Sequence, residues 1–136
     1  MLAKLFETTI PFTEVQTGIW YPIVEVTFVK ADGQRRRLPL LFDTGATQIT
    51  LHPEWAWLFP QGITEQFNSV GDETAADGLR TQGRIEFLSR TIDCTILLAP
   101  LPRRTWMAGL FGRECFIPFG FAFWEKTHEL YVNLNP

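Results

Sequence analysis

Apolar and polar positions alternate along much of the chain. Inside the run Ile19 to Lys30, Val24, Val26 and Phe28 alternate with Glu25 and Thr27. That period-2 pattern, rich in β-branched residues, predicts a strand. Asp32-Gly33 is a hairpin turn signal. Arg36 to Phe42 returns as a second strand, its apolar run Leu38 to Phe42 broken by Pro39. Asp43-Thr44-Gly45-Ala46 reads as a loop and Ile49-Thr50-Leu51 as a short β segment. Pro53 to Phe59 suits one or two helical turns, with proline at the first position and Pro60 as the stop. Phe67 to Val70, Arg84 to Phe87 and Thr91 to Ala99 predict further strands. Between them, Gly71 to Gly83 is polar and glycine-bearing and reads as a long hairpin or mobile loop. Pro100-Leu101-Pro102 interrupts the pattern. Trp106 to Phe111 is apolar and stops at Gly112-Arg113, and Glu114 to Phe116 begins a short helix ended near Pro118. Phe119 to Trp124 and Glu129 to Leu134 form a last hairpin around Lys126-Thr127-His128.

Many short strands, frequent turn signals and almost no long helix predict an all-β barrel or sandwich. With no linker, repeat or low-complexity run, residues 1–136 read as a single domain. At 46% apolar residues the chain can build a real core. The formal net charge of −3 gives no reason to expect nucleic acid or an anionic membrane as a partner. Arg35-Arg36-Arg37 follows a turn signal and reads as a solvated hairpin arm before it reads as a binding patch. No stretch approaches the length of a membrane span, and Met1 to Phe12 lacks the apolar run of a signal peptide. The expectation is a soluble, cytoplasmic protein. Cys94 and Cys115 match no zinc spacing, and His52 and His128 lie far from them in sequence. Two buried free thiols are the simplest account, with a disulfide left open. No metal or cofactor is expected. Trp55 and Trp57 cannot share one helix face, which suggests that one borders a groove or interface, although core packing is the first reading for either.

The chemistry concentrates in Leu40-Leu41-Phe42-Asp43-Thr44-Gly45-Ala46-Thr47. A carboxylate straight after an apolar strand is costly to bury alone, so it is normally paired, hydrogen-bonded or functional. Thr44 brings a hydroxyl that donates and accepts. Gly45 lets the backbone turn and come close to a ligand or another chain. This segment resembles the active-site segment of the aspartic peptidases. Ala108-Gly109-Leu110-Phe111-Gly112-Arg113-Glu114 resembles the apolar-apolar-Gly-Arg segment that opens the short C-terminal helix of the retropepsin-like, or retroviral-type, branch. Ile96-Leu97-Leu98-Ala99-Pro100 falls where that family has an apolar strand ending in a small residue and proline. The three segments occur in the family's order, and the resemblance spans roughly Ile19 to Leu134.

The resemblance implies a closed retropepsin-like acid-protease β-barrel, a single lobe with one short C-terminal helix. It implies an aspartic endopeptidase with a polypeptide substrate. Only one Asp-Thr-Gly is present, so a pair of carboxyls requires a homodimer with Asp43 near the two-fold axis. Thr44, Gly45 and Ala46 would support the paired loops, and Gly112 and Arg113 would be the structural Gly-Arg. A flap at Ala75, Ala76, Asp77, Gly78 and Leu79 would close over an extended peptide, and Leu130 to Asn135 would supply a dimer strand. Thr47 stands where retroviral enzymes usually carry an Asp that pairs with this arginine, so Arg113 needs another partner. The flap segment lacks the viral double-glycine pattern. An alternative reading is a retropepsin-like dimer that binds peptide or acts in assembly without cutting. A further one is an unrelated ligand-binding barrel.

Overall fold

The computed structural model describes residues 7–59, 65–67 and 78–136. Its strands are β1 (Thr8–Pro11), β2 (Thr13–Gln16), β3 (Ile19–Tyr21), β4 (Ile23–Val29), β5 (Arg35–Phe42), β6 (Ile49–Leu51), β7 (Glu65–Phe67), β8 (Gly78–Phe87), β9 (Arg90–Leu98), β10 (Gly109–Phe111), β11 (Gly120–Trp124) and β12 (Glu129–Asn133). A 3-10 turn spans Pro53–Leu58, and one short helix, α1, spans Arg113–Phe116.

The main sheet runs β4-β5-β10-β6-β9-β8-β7, and an added β4–β8 pairing closes six of these strands into a barrel. β8 serves two neighbours on one edge: its start pairs with β7 and its end with β4. Period-2 patterning does the packing. Val24, Val26 and Phe28 of β4, Leu38, Leu40 and Phe42 of β5, and Cys94, Ile96 and Leu98 of β9 all point inward and are buried. The residues between them face outward, as alternation requires. Pro39 sits inside β5 at little cost. Its carbonyl accepts from Ala108 N at 2.8 Å. Its nitrogen faces the same side, just ahead of where β10 begins, so no ladder bond is lost.

A three-stranded sheet, β1-β12-β11, packs beside the barrel. Leu130 and Val132 are buried beneath it, and Phe121 and Phe123 pack on the same core. Phe42 is the hinge of this packing. Its ring lies 4.5 Å from Phe116, 5.2 Å from Phe121, 5.4 Å from Phe123 and 5.6 Å from Phe111, centroid to centroid. A separate small hairpin pairs β2 with β3 across a turn in which Gly18 takes φ +78°, where glycine carries no Cβ penalty.

Most predicted elements are present with shifted ends. The loop expected over Gly71 to Gly83 stops earlier, because β8 begins at Gly78 and pairs with both β7 and β9. Leu130 to Asn135 is not an open dimer strand. β12 is the middle of its sheet, with β1 on one side and β11 on the other, so both its edges are already hydrogen-bonded. The predicted segments omitted β1 and β2. They are short edge pieces whose pairing depends on β12 and β3, which no local pattern reveals. Among the described residues no helix is long and apolar enough to cross a membrane.

Candidate active site

Asp43 begins where β5 ends. Its N–H donates to Phe111 O at 3.0 Å, the final rung between β5 and the parallel strand β10. The chain then turns sharply. Ala46 N donates to Asp43 O at 3.2 Å, and Gly45 N donates to the carboxylate Oδ1 at 2.8 Å. That local bond is an Asx-type turn, and it fixes the direction of the carboxylate. A Cβ on residue 45 would stand 3.2 Å from Oδ1, so glycine leaves room for the turn. Asp43 is half-buried, while Thr44 and Gly45 are exposed at the tip of the loop.

The far side of the loop is held by the start of α1. Arg113 N donates to Ala46 O at 2.9 Å and Glu114 N donates to Thr47 O at 2.8 Å. Gly112 makes this approach possible: a Cβ there would lie 2.3 Å from Gln48 O and 2.5 Å from Gln48 N and C. Gly109 is needed for the same reason at the start of β10, where a Cβ would fall 2.1 Å from Thr50 O of β6. The carbonyls of the Asp43 loop are thus satisfied by helix-start amides, which otherwise lack intrahelical partners.

Arg113 finds its partner within the chain. Its Nη2 reaches Thr47 Oγ1 at 3.4 Å, a long contact. The neighbouring Glu114 is engaged elsewhere: its carboxylate accepts from Thr95 N at 3.0 Å and ties α1 to β9. The roles of Thr47 and Glu114 were not readable from the residues alone. The two glycines of the apolar segment Ala108 to Gly112 were the available signal, since glycine in a strand marks close backbone approach.

Several expected residues lie elsewhere. Gly78 and Leu79 stand at the start of β8, facing Phe67 and Gln66 of β7. Ala75, Ala76 and Asp77 lie outside the described residues. His52 caps the 3-10 turn, its Nδ1 accepting from Glu54 N at 3.2 Å. His128 stacks on Trp20 at 4.7 Å. Cys94 and Cys115 are buried free thiols. A hydrogen bond that the Cys94 thiol donates to Cys115, then burial, push that thiol far above its ordinary value, and a buried, protonated thiol is a poor nucleophile. Among the described residues no three His, Cys, Asp or Glu side chains come together as a metal site.

A search of solved structures relates this architecture to known proteins. A retropepsin-like aspartic protease from Rickettsia conorii superposes with a TM-score of 0.61 at 13% identity, covering 93% of this chain and 91% of that one. The chain has the retropepsin-like fold. EIAV protease, solved with an inhibitor, matches at 21% identity with a TM-score of 0.48, over 71% of this chain and 85% of its own. No family model matches the sequence, and no curated protein matches it. Within the retropepsin-like fold, Asp43 stands at the end of a strand paired in parallel with β10, its loop closed by the Gly112-Arg113 segment.

Proposed function

We propose that the chain is an aspartic endopeptidase that works as a homodimer, with the two Asp43 carboxyls side by side across the two-fold axis. The observation that carries this reading is the Asp43 loop itself. A carboxylate at a strand end is oriented by Gly45 N and backed by two helix-start amides, while the tip, Thr44-Gly45, stays exposed. An exposed, pre-organised loop of this kind is suited to meeting its own copy, because a two-fold interface sets each residue against itself. Thr44, which is exposed and whose hydroxyl makes no hydrogen bond among the described residues, would tie the two loops together.

Two carboxyls about 3 Å apart share one proton, because both cannot ionise at that distance. The ionised partner takes a proton from a water held between them, and that water attacks the peptide carbonyl. The protonated partner stabilises the tetrahedral oxygen and then helps protonate the leaving amine. The titration belongs to the pair. A flap at Ala75 to Leu79, of which Gly78 and Leu79 open β8 and pair with β7, would exclude water from an extended polypeptide.

The test is cleavage of a mixed peptide library from about pH 3 to pH 8, the range over which carboxyl dyads titrate. Wild type is expected to cut, with activity falling as pH rises past the upper apparent pKa. Asp43→Asn is expected to lose on the order of 10²–10⁴-fold or all of it. A folded dimer that cuts nothing at any pH would transfer the reading to a non-cutting peptide-binding or assembly module.

A further inference from the structure

β5 carries Asp43 at one end and two arginines at the other. Arg36 and Arg37, together with Arg104 from the segment before β10 and Trp55 from the 3-10 turn, line a cleft of about 250 Å³. Leu38, Pro39, Met107 and Ala108 add apolar surface to the same cleft. Asp43 lies six positions beyond Arg37 along extended chain, roughly 20 Å away. The cleft is therefore distinct from the carboxylate loop.

Its charge is unbalanced. Arg36, Arg37 and Arg104 are exposed and enter no ion pair among the described residues. The Arg36 guanidinium lies over the Trp55 ring at 5.5 Å, and Arg104 Nη1 donates only to the carbonyl of Arg103, at 3.1 Å. The one carboxylate lining the cleft, Glu54, is held by Arg103 at 3.1 Å. The Trp55 indole Nε1 is buried and has no acceptor among the described residues. Three arginines thus line a cleft whose only carboxylate is already paired. The molecule as a whole is negative, at −3, so general basicity does not explain this concentration.

A guanidinium is weakly hydrated and offers a planar fork that fits a carboxylate with two parallel bonds. The apolar lining discriminates further. A carboxylate on a carbon stem covers it, whereas an inorganic ion leaves it wet and unused. We propose that this cleft binds an acidic side chain of a polypeptide, an Asp or Glu next to an apolar residue, as a docking contact remote from Asp43.

The test uses the full-length chain carrying Asp43→Asn, so that no peptide is cut. A fluorescent peptide of alternating Leu and Glu is compared with the same peptide bearing Gln at every Glu, by anisotropy. The Glu peptide is expected to bind at least tenfold more tightly, with the advantage shrinking as salt rises. Arg37→Gln with Arg104→Gln, both exposed positions, is expected to erase that advantage without lowering Tm. The matching Lys pair should keep part of it, as charge without the fork. Equal binding of the two peptides overturns the proposal, as does an advantage that survives the double Gln variant. So does displacement of the peptide by acetate or phosphate at the peptide's own concentration, which would make the cleft a site for small anions only.

Discussion

A methyl group at residue 112 would meet the backbone of the loop that carries Asp43, one residue before β6. The crowding atoms are the N, C and O of Gln48, within 2.3–2.5 Å, and no rotamer change can move them. Gly112→Ala must therefore push α1 away from Ala46 and Thr47, whose carbonyls it satisfies. The expected loss is about 1–3 kcal/mol by urea unfolding, the usual cost of overpacking, together with a larger fractional loss of any Asp43-dependent activity. A variant that kept full stability would show that the loop does not depend on this approach. At this scale the sequence was informative where side-chain absence or charge carries the meaning. Asp43 after an apolar strand and the glycines at 109 and 112 were legible. The contact of Arg113 with Thr47 ran against expectation: with no carboxylate at 47 another partner was expected, yet the threonine hydroxyl accepts from the guanidinium.

Strands were legible where one face is buried. The alternation in β4 and the returning run of β5 match the observed burial closely, since period-2 patterning is a direct record of which side meets the core. β1 and β2 left no comparable record, and the position of β12 between β1 and β11 is a fact about pairing that no single strand encodes. The element with most at stake is the end of β5. Phe42 packs against Phe111, Phe116, Phe121 and Phe123, joining the barrel, α1 and the second sheet beneath the residue that precedes the carboxylate. Phe42→Ala is expected to cost about 3–5 kcal/mol, as for a large ring removed from a filled core. Phe42→Leu should recover much of that. Denaturant titration of the two variants checks the order, and equal stabilities would mean that the rings around Phe42 collapse to fill the space.

The whole-molecule question is assembly. If two chains are required to bring two carboxyls together, activity must follow the dimer population. Specific activity is then expected to fall on dilution through the dimer dissociation constant, in step with the mass measured by sedimentation. Activity independent of dilution, in a species that sediments as a monomer, would remove the paired-carboxyl mechanism. With both edges of β12 already filled, the outer edges of that sheet belong to β1 and β11. The fold class followed from strand number and turn spacing, whereas the closure of the barrel rests on the β4–β8 pairing, which only the three-dimensional register displays.

That register also sets an order of events. Residues 109–111 pair with residues 40–42, and Thr8 lies opposite Val132. Such distant partners give a high contact order, so refolding is expected on the slow side for a chain of this size, about milliseconds to seconds. During synthesis the Asp43 segment leaves the ribosome long before the amides of Arg113 and Glu114 exist to close it. A nascent or truncated chain that ends before α1 holds its aspartate on an unsupported loop, which closes only once residues 113 and 114 are in place.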